Sequence, residues 1–431
     1  MPSIHDPVAL GGCDVANRLY RAPLLECAGT GPDSVEILTE KLEPAAASGV
    51  GLIFQGATIV QGEGGCAAPG MTRVHDPAFV ATLSGLTDAI HDHGGRIFLQ
   101  LEHGGLRSME TWHAGYRQKH PHLPQLAVSR PPAVLRALDR FGVLAYDARV
   151  LSTDEVYDLA ADFGVAAGHA VDAGYDGIHL AGANMGIIQQ FLSPYYNRRE
   201  DEFADGFRFL ECVYEAIRDH AGDVPLVTKI PAETAAPAFA RPRLSFDDGV
   251  ELARRAADLG FDALAPVEVS TFWDTSIVRG AFPARAWQLD DLQSGYEAAF
   301  GGRWRARLVA LANRLQARRF SRDAGWNEAF CRAVRGVVDV PVLLEGGVRS
   351  RPQIDRLLST GACDMVGLAR PFYAEPRLAT RLLRQVDSRV VCESCNNCTV
   401  PQVTGAEGVC RTPHVLRRRG ELERGGAYDQ K

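Results

Sequence analysis

The chain has 431 residues, of which 46% are hydrophobic and 23% charged, and 53 acidic against 46 basic residues give it a net charge of −7. This composition excludes disordered, fibrous and coiled-coil proteins. The lack of a basic excess argues against a nucleic-acid partner, and no apolar run approaches the roughly 20 residues that cross a bilayer. Because the start also lacks the basic-then-apolar order of a signal peptide, the sequence predicts a cytoplasmic protein without a membrane partner.

Eight strand-like apolar runs alternate with stretches of helical spacing. Such alternation predicts parallel pairing, and eight units are typical of a closed α/β barrel, the (β/α)₈ or TIM barrel, rather than of an open sheet with about five or six strands. The predicted strands are 19–23, 51–55, 96–101, 176–180, 225–230, 263–267, 341–344 and 364–368. The predicted helices are 33–48, 77–94, 153–174, 206–220, 246–260, 305–335, 351–360 and 375–388.

The barrel repeats end near residue 388, which predicts two parts in the chain. Residues 1–388 form the barrel, and residues 389–431 form a cysteine-bearing segment with a polar tail. Two connections, 104–150 and 268–304, are too long for simple turns. We expect them to be inserts at the barrel mouth, which either make substrate contacts, as long loops of barrel enzymes do, or serve only as a structural hairpin or an ordered cover.

The last two predicted strands are followed by residues suited to binding a phosphate. Gly346 and Gly347 allow backbone N–H groups to approach an anion, and Arg370, which follows Ala369, adds a cation. Barrels commonly build phosphate sites after strands seven and eight. Tight turns also use paired glycines, but this position in the barrel favours a phosphate site.

Three further polar residues lie at or next to the ends of predicted strands, namely Gln55, Gln100 and Lys229. Two amides and a cation suit the edge of a flavin pyrimidine ring, which presents alternating donors and acceptors and becomes negative on reduction. One of these glutamines could instead satisfy loop backbone groups. Together they predict a flavin at the barrel mouth.

The cysteine segment carries the sharpest local pattern. Cys392, Cys395 and Cys398 are each separated by two residues, and Cys410 follows after eleven more. Three thiolates so close together with a distant fourth are typical of a [4Fe–4S] cluster. Structural zinc is the alternative, although its sites usually pair two knuckles of two cysteines.

Several longer segments resemble the old yellow enzyme-like flavin oxidoreductases, especially the iron–sulfur branch that includes 2,4-dienoyl-CoA reductase and trimethylamine dehydrogenase. The resemblance covers roughly residues 15–415. It rests on the cysteine segment and on the stretches 17–23, 100–103, 174–177, 190–199 and 364–372.

This resemblance implies FMN at the barrel mouth and hydride exchange at flavin N5. It assigns Pro23, Ala57, Gln100 and Lys229 to the ring and Gly347, Ala369 and Arg370 to the phosphate, and we add the adjacent Leu24 and Gly346 to the cofactor-binding set. Lys229 replaces the arginine usual in the family but keeps its charge.

The substrate positions depart from the family pattern. Where many relatives carry two polar residues and a tyrosine proton donor, this chain has Ala181, Asn184 and Gly186. Asn184 is therefore the surviving hydrogen-bonding candidate. A replacement acid is expected from the sixth loop, at Trp273-Asp274, so the predicted catalytic residues are Asn184, Trp273 and Asp274.

The leading hypothesis is thus an oxidoreductase with FMN and a [4Fe–4S] cluster that reduces an activated C=C bond of a small molecule. An amine dehydrogenase or N-demethylase is the alternative chemistry, and a zinc-braced, phosphate-binding lyase or binding protein is the non-redox alternative. Electrons are expected from NAD(P)H or from an external carrier such as a ferredoxin, a flavodoxin or a separate reductase. The sequence leaves a homo-oligomer open.

Overall fold

The computed structural model of the protein describes residues 2–140 and 147–429. Eight of its strands form one sheet in which every neighbouring pair is parallel. All the strands described are β1 (Val8–Leu10), β2 (Cys13–Val15), β3 (Leu19–Arg21), β4 (Leu52–Ile59), β5 (Arg96–Glu102), β6 (Gln125–Ala127), β7 (Ala148–Val150), β8 (Gly177–Leu180), β9 (Leu226–Ala232), β10 (Ala263–Glu268), β11 (Leu343–Glu345) and β12 (Met365–Leu368).

The large sheet confirms the predicted barrel. Its order is β10-β9-β8-β5-β4-β3-β12-β11, and a parallel bridge between Leu264 and Val342 brings its two ends together. All eight predicted strands overlap strands of this sheet. Sequence alone could find them because strands buried on both faces appear as continuous apolar runs.

Side chains along these strands alternate between the barrel interior and the layer of helices. The inward-facing side chains are apolar in the part of the barrel away from the carboxyl ends of the strands. At the carboxyl ends they are polar. On three of these strands Phe98 is followed two residues later by Gln100, Val227 by Lys229, and Leu343 by Glu345. The alternation therefore delivers an amide, a cation and a carboxylate to the mouth.

An irregularity in β4 shapes the mouth further. The register of β4 against β5 shifts between Gln55 and Thr58, which marks a bulge. Within it, a Cβ on Gly56 would stand 1.3 Å from the carbonyl oxygen of Leu24, so only glycine lets the two segments touch. This close approach holds the loop after β3 against the site.

The helices form an outer layer around the barrel, and both inserts contain helices as well. None of them combines the length and apolar character that a membrane crossing needs, within the described residues. They are α1 (Ser34–Ala47), α2 (Pro77–Thr82), α3 (Ser84–His91), α4 (Met109–Trp112), α5 (Ala114–Lys119), α6 (Ala133–Arg140), α7 (Thr153–Asp172), α8 (Ile187–Leu192), α9 (Phe207–Ala221), α10 (Phe246–Leu259), α11 (Asp290–Phe300), α12 (Arg303–Arg319), α13 (Glu328–Arg335), α14 (Arg351–Ser359), α15 (Arg370–Ala374), α16 (Leu378–Arg384) and α17 (Pro413–Arg424).

Two predicted helices are wrong in their extent. The stretch 305–335 is two helices, α12 and α13, because the backbone leaves the helical region at Phe320 and takes a positive φ of 66° at Gly325. The predicted helix 77–94 is likewise divided into α2 and α3. The connection after α12 matters because Arg322, Asp323 and Trp326 reach the barrel mouth.

The N-terminus of α7 has a complete capping box. The Ser152 hydroxyl accepts from the Glu155 N–H at 3.2 Å, and the Glu155 carboxylate accepts from the Ser152 N–H at 2.9 Å. We expect Ser152→Ala to lower the free energy of unfolding by about 1 kcal/mol, since a backbone donor loses its partner. Urea unfolding measures this, and Ser359→Ala on the exposed surface should change stability by less than about 0.5 kcal/mol. Equal effects of the two variants would contradict the capping argument.

Candidate active site

A single cavity of about 850 Å³ opens at the carboxyl ends of the barrel strands. Its size suits a cofactor together with a small substrate. All the residues predicted for cofactor binding or catalysis except Gln55 line it, including residues from both ends of the chain. The predicted set comprises Pro23, Leu24, Ala57, Gln100, Asn184, Lys229, Trp273, Asp274, Gly346, Gly347, Ala369 and Arg370.

One wall of the cavity carries the amide and cation expected at a flavin edge. Gln100 Nε2 lies 2.9 Å from His179 Nδ1, which fixes the amide and leaves its oxygen available. Burial, and secondarily the charge of Lys229, hold the pKa of His179 well below its ordinary value, so this histidine is neutral. His179 thus supports Gln100 and is not an acid.

The cation on this wall is paired. Lys229 Nζ contacts the Glu345 carboxylate, and both side chains are largely buried. The backbone carbonyl of Glu345 accepts a hydrogen bond of 3.0 Å from Asn327 Nδ2, and the same amide donates to the carbonyl of Pro266 at 2.6 Å. Asn327 therefore ties the ends of β10 and β11 together beneath the ion pair.

Gln55 does not reach the cavity, and its predicted place beside Gln100 is wrong. Its neighbour Phe54 points into the barrel, so alternation along the strand turns Gln55 towards the helices. There its amide oxygen accepts from the Tyr175 hydroxyl. The prediction failed because it counted residues after the strand without fixing which of them face inward.

The opposite end of the cavity is rich in cations and suits a phosphate. Gly346 and Gly347 have positive φ values of 116° and 74°, which free their backbone for a tight turn. Burial, and also the neighbouring charges of Arg322 and Arg370, lower the pKa of Arg349. Three clustered guanidinium groups repel one another unless an anion lies between them, and the phosphate of FMN fits that requirement.

Two of these arginines also hold the cysteine segment. Arg370 donates to the side-chain oxygen of Asn396 and, at 2.9 Å, to the carbonyl of Arg279. Arg349 donates to the Ser394 hydroxyl at 2.5 Å and to the carbonyl of Cys392. The phosphate end of the cavity and the cysteine segment are thus braced by the same side chains.

The substrate side of the cavity contains the predicted catalytic candidates. Asn184 has a left-handed backbone with φ of 67°, and its carbonyl accepts from Arg107 at 2.8 Å, leaving the side-chain amide towards the cavity. Burial raises the pKa of the Asp274 carboxyl above its ordinary value, although the Ser276 N–H donates to it at 2.9 Å. A raised pKa suits a proton donor.

Aromatic rings close this side. The rings of Trp112 and Trp273 lie 4.8 Å apart, and the Arg107 guanidinium lies 5.5 Å from the centre of the Trp273 ring. Arg107 is also paired with Glu102 at 2.7 Å. Sequence reasoning missed Trp112 and Arg107 because no local motif marks them within the first insert.

The four predicted metal-ligand cysteines line one small cavity. Ser394 and Asn396, which alternate with the cysteines, have positive φ values of 55° and 60°, so the chain is tightly coiled here. N–H groups of Ser394 and Asn397 donate to the sulfurs of Cys392 and Cys395 at 3.5 Å and 3.4 Å. Thiols around a cavity with N–H donors to sulfur fit the surroundings of an iron–sulfur cluster.

Among the side chains of residues 2–140 and 147–429, no group of three or more His, Cys, Asp and Glu is arranged so that it could hold one metal ion. In a cubane cluster each cysteine binds a different iron atom. The four ligands therefore surround the whole cluster rather than a single metal ion.

The sequence pattern of the NADH:flavin oxidoreductase / NADH oxidase family matches residues 3–237, and the chain belongs to this family. The chain is an FMN-dependent oxidoreductase with the fold of the old yellow enzyme-like proteins. The family match ends before β10, so it includes Lys229 but not the arginine cluster.

Individual relatives agree with this assignment. The chain is 24% identical to an NADH oxidase of Thermoanaerobacter brockii over 95% of its own length and 57% of that protein. It is 25% identical to a 4,4'-dithiodibutanoate disulfide reductase of Rhodococcus erythropolis over 98% of both chains. The structure of histamine dehydrogenase from Rhizobium sp. 4-9 matches with a TM-score of 0.71 at 21% identity, covering 96% of this chain and 53% of that one. The chain thus spans about half the length of the first and third of these relatives.

Proposed function

We propose that the protein uses FMN together with a [4Fe–4S] cluster to reduce an activated C=C bond of a small organic molecule. The observation that carries this proposal is that the same two arginines contact both the large cavity and the cysteine segment. Arg349 and Arg370 lie at the phosphate end of the large cavity and hydrogen-bond to the segment bearing the four cysteines. A cluster held there would lie next to the flavin site, as electron transfer between them requires.

FMN, when bound, supplies hydride chemistry at its N5 position. In our proposal Gln100 and Lys229 hold the pyrimidine edge, and Pro23, Leu24 and Ala57 form the apolar wall against the ring. Gly346, Gly347, Ala369 and Arg370 bind the phosphate, and we add Arg349 to this set because it lines the same cavity. Aromatic residues of both inserts also line the cavity.

The substrate is activated from the opposite wall. We assign the Asn184 amide to a hydrogen bond with the polar group that activates the double bond, and Asp274 to delivery of the proton that completes the reduction. Trp273 packs beside Asp274 and shapes the substrate chamber. Ala181 lines the same chamber with a methyl group only, so Asn184 carries the polar contact of this strand end alone.

Cys392, Cys395, Cys398 and Cys410 are the proposed cluster ligands. The cluster would pass electrons between the flavin and an external carrier such as a ferredoxin, a flavodoxin or a separate reductase. NAD(P)H is the alternative donor, and it would reduce the flavin directly. The relatives named above include an NADH oxidase and a disulfide reductase, which supports reductive use of the site.

The experiment that tests the proposal is a spectrum of anaerobically purified protein, reconstituted with FMN and titrated with dithionite. Flavin bands on a broad iron–sulfur absorbance, with more electrons taken up than FMN alone accepts, would support both centres. Flavin bands with zinc but without iron or labile sulfide would favour a structural role for the cysteines. A featureless spectrum after FMN addition would overturn the proposal.

The pH dependence tests the role of Asp274. Because burial raises its pKa, the carboxyl stays protonated to a higher pH than an exposed aspartate does, and kcat/KM should fall as pH rises through that pKa. In Asp274→Asn this fall should be absent, and kcat/KM at low pH should drop about 10²-fold or more. Asp323→Asn, which changes another cavity carboxylate, should keep the wild-type profile. An unchanged profile in Asp274→Asn would assign the proton to another group.

Amine oxidation is a second candidate because the Trp112 and Trp273 rings offer faces that attract an ammonium group. The Arg107 guanidinium already lies over Trp273, however, which disfavours a second cation. Anaerobic bleaching of the flavin by dimethylamine or trimethylamine would favour oxidation. Reoxidation of the reduced enzyme by an enone or enoyl thioester would favour reduction.

A further inference from the structure

We propose that Glu345 sets the reduction potential of the bound flavin by offsetting the charge of Lys229. This inference rests on the proposed function, because it takes Lys229 to lie at the N1–O2 edge of FMN. Glu345 would be a positioning residue that makes the reduced flavin a stronger hydride donor.

Barrel geometry explains why these two side chains meet. In a closed barrel, alternate strands contribute side chains to the same interior layer, and Lys229 on β9 and Glu345 on β11 are separated by one strand, β10. The residue paired with Lys229 on β10 is Ala265, which points into the barrel with a single methyl group. The small alanine leaves room for the ion pair to form across β10.

The pair is also rigidly supported and poorly solvated. The side chains of Lys229 and Glu345 are only 8% and 13% exposed. Asn327, which is fully buried, holds the carbonyl of Glu345 at 3.0 Å and accepts from the Glu268 N–H at 3.1 Å. With its backbone fixed in this way, Glu345 stays within reach of Lys229 and on the lining of the cavity.

The charges determine the direction of the effect. Two-electron reduction of FMN with uptake of one proton leaves a negative charge at the N1–O2 edge. A lone lysine there would stabilise that charge and raise the potential, whereas a lysine paired with a carboxylate presents almost no net charge. The ion pair therefore keeps the potential low. Low potential favours transfer of the hydride to a substrate that is difficult to reduce.

The test is the two-electron midpoint potential of FMN-loaded Glu345→Gln, measured without substrate. We expect the equilibrium constant for reduction to rise about tenfold, which corresponds to about 30 mV for a two-electron couple. Sulfite, which adds at N5 and leaves negative charge on the same edge, should bind about tenfold more tightly. Glu345→Ala removes the same charge with a smaller side chain and serves if glutamine is not accommodated.

Two controls isolate the charge effect. Glu268→Gln removes a carboxylate from the neighbouring strand end, where it accepts from the Thr234 hydroxyl at 2.5 Å, and should shift the equilibrium less than threefold. The double variant Lys229→Met with Glu345→Gln removes both charges and should return within threefold of wild type. A shift in Glu345→Gln no larger than that in Glu268→Gln would overturn the inference.

Failure of the proposed function gives a different result. If wild-type protein does not bind FMN in a fluorescence titration, the proposed function fails and the role of Glu345 fails with it. If FMN binds but the potentials of Glu345→Gln and wild type coincide, only the role of Glu345 is lost.

Discussion

Protein carrying Cys398→Ser is expected to lose nearly all of its iron and acid-labile sulfide while retaining FMN. A [4Fe–4S] cluster needs four thiolates, and a hydroxyl is a poor replacement for any of them. Cys398 is buried, and it lines the same small cavity as the other three cysteines of the set. Iron should fall from about four atoms per chain to below about half an atom.

Iron and sulfide assays on anaerobically purified protein measure this loss. Cys13→Ser is the matched control, because Cys13 is a half-buried thiol on β2, far from the cysteine segment in the fold, and should leave the iron content unchanged. Iron retained by Cys398→Ser would show that this residue is not a ligand. FMN lost together with the iron would contradict the expected retention of FMN and would show that the two sites are interdependent.

Arg370→Met is expected to raise the dissociation constant of FMN by about 10-fold to 150-fold. The guanidinium in our proposal binds the phosphate, and a hydrogen bond to a charged group contributes about 1.5–3 kcal/mol. The variant also removes the bonds to Asn396 and to the carbonyl of Arg279, so the loop that carries Arg279 loses an anchor. Methionine keeps the length of the apolar stem, which limits the loss of packing.

Fluorescence titration with FMN provides the measurement. Arg377→Met removes a positive charge from an exposed position between α15 and α16 and should change the dissociation constant less than twofold. If Arg370→Met binds FMN as tightly as wild type, the phosphate lies elsewhere. Riboflavin, which lacks the phosphate, should bind wild type and Arg370→Met with similar affinity.

The strands were predictable because each of them is buried on both faces. A run such as Ala263–Val267 must be apolar throughout to fit between the barrel interior and the helices, and this constraint is visible in the sequence itself. Residues at or just after the ends of most runs were then also predictable as cavity residues, with Gln55 as an exception. Gly346, Gly347 and Arg370 line the cavity for this reason.

The remaining features depend on contacts between distant segments. The pairing of Glu345 with Lys229 requires knowing which side chains face inward on two strands separated by a third. Arg349 could have been noticed two residues after the glycine pair. Its closeness to Arg322, however, depends on the break between α12 and α13. The helical spacing of the sequence did not reveal this break. Arg107 and Trp112 lie in an insert with no repeating pattern.

The order of strands in the barrel has a consequence for how the chain is made. β3 is the first barrel strand to be synthesised, yet it lies between β4 and β12, and Arg18 beside it donates to the carbonyl of Asp364, 346 residues later. At a synthesis rate of about 5–20 residues per second, one edge of β3 remains unpaired for roughly 17–70 s until β12 has been made. An unpaired strand edge invites pairing with other chains. Closure of the barrel is therefore a late event. A nascent chain that includes β4 to β9 still has two unpaired edge strands, and it depends on its last strands, or on a chaperone, to cover them.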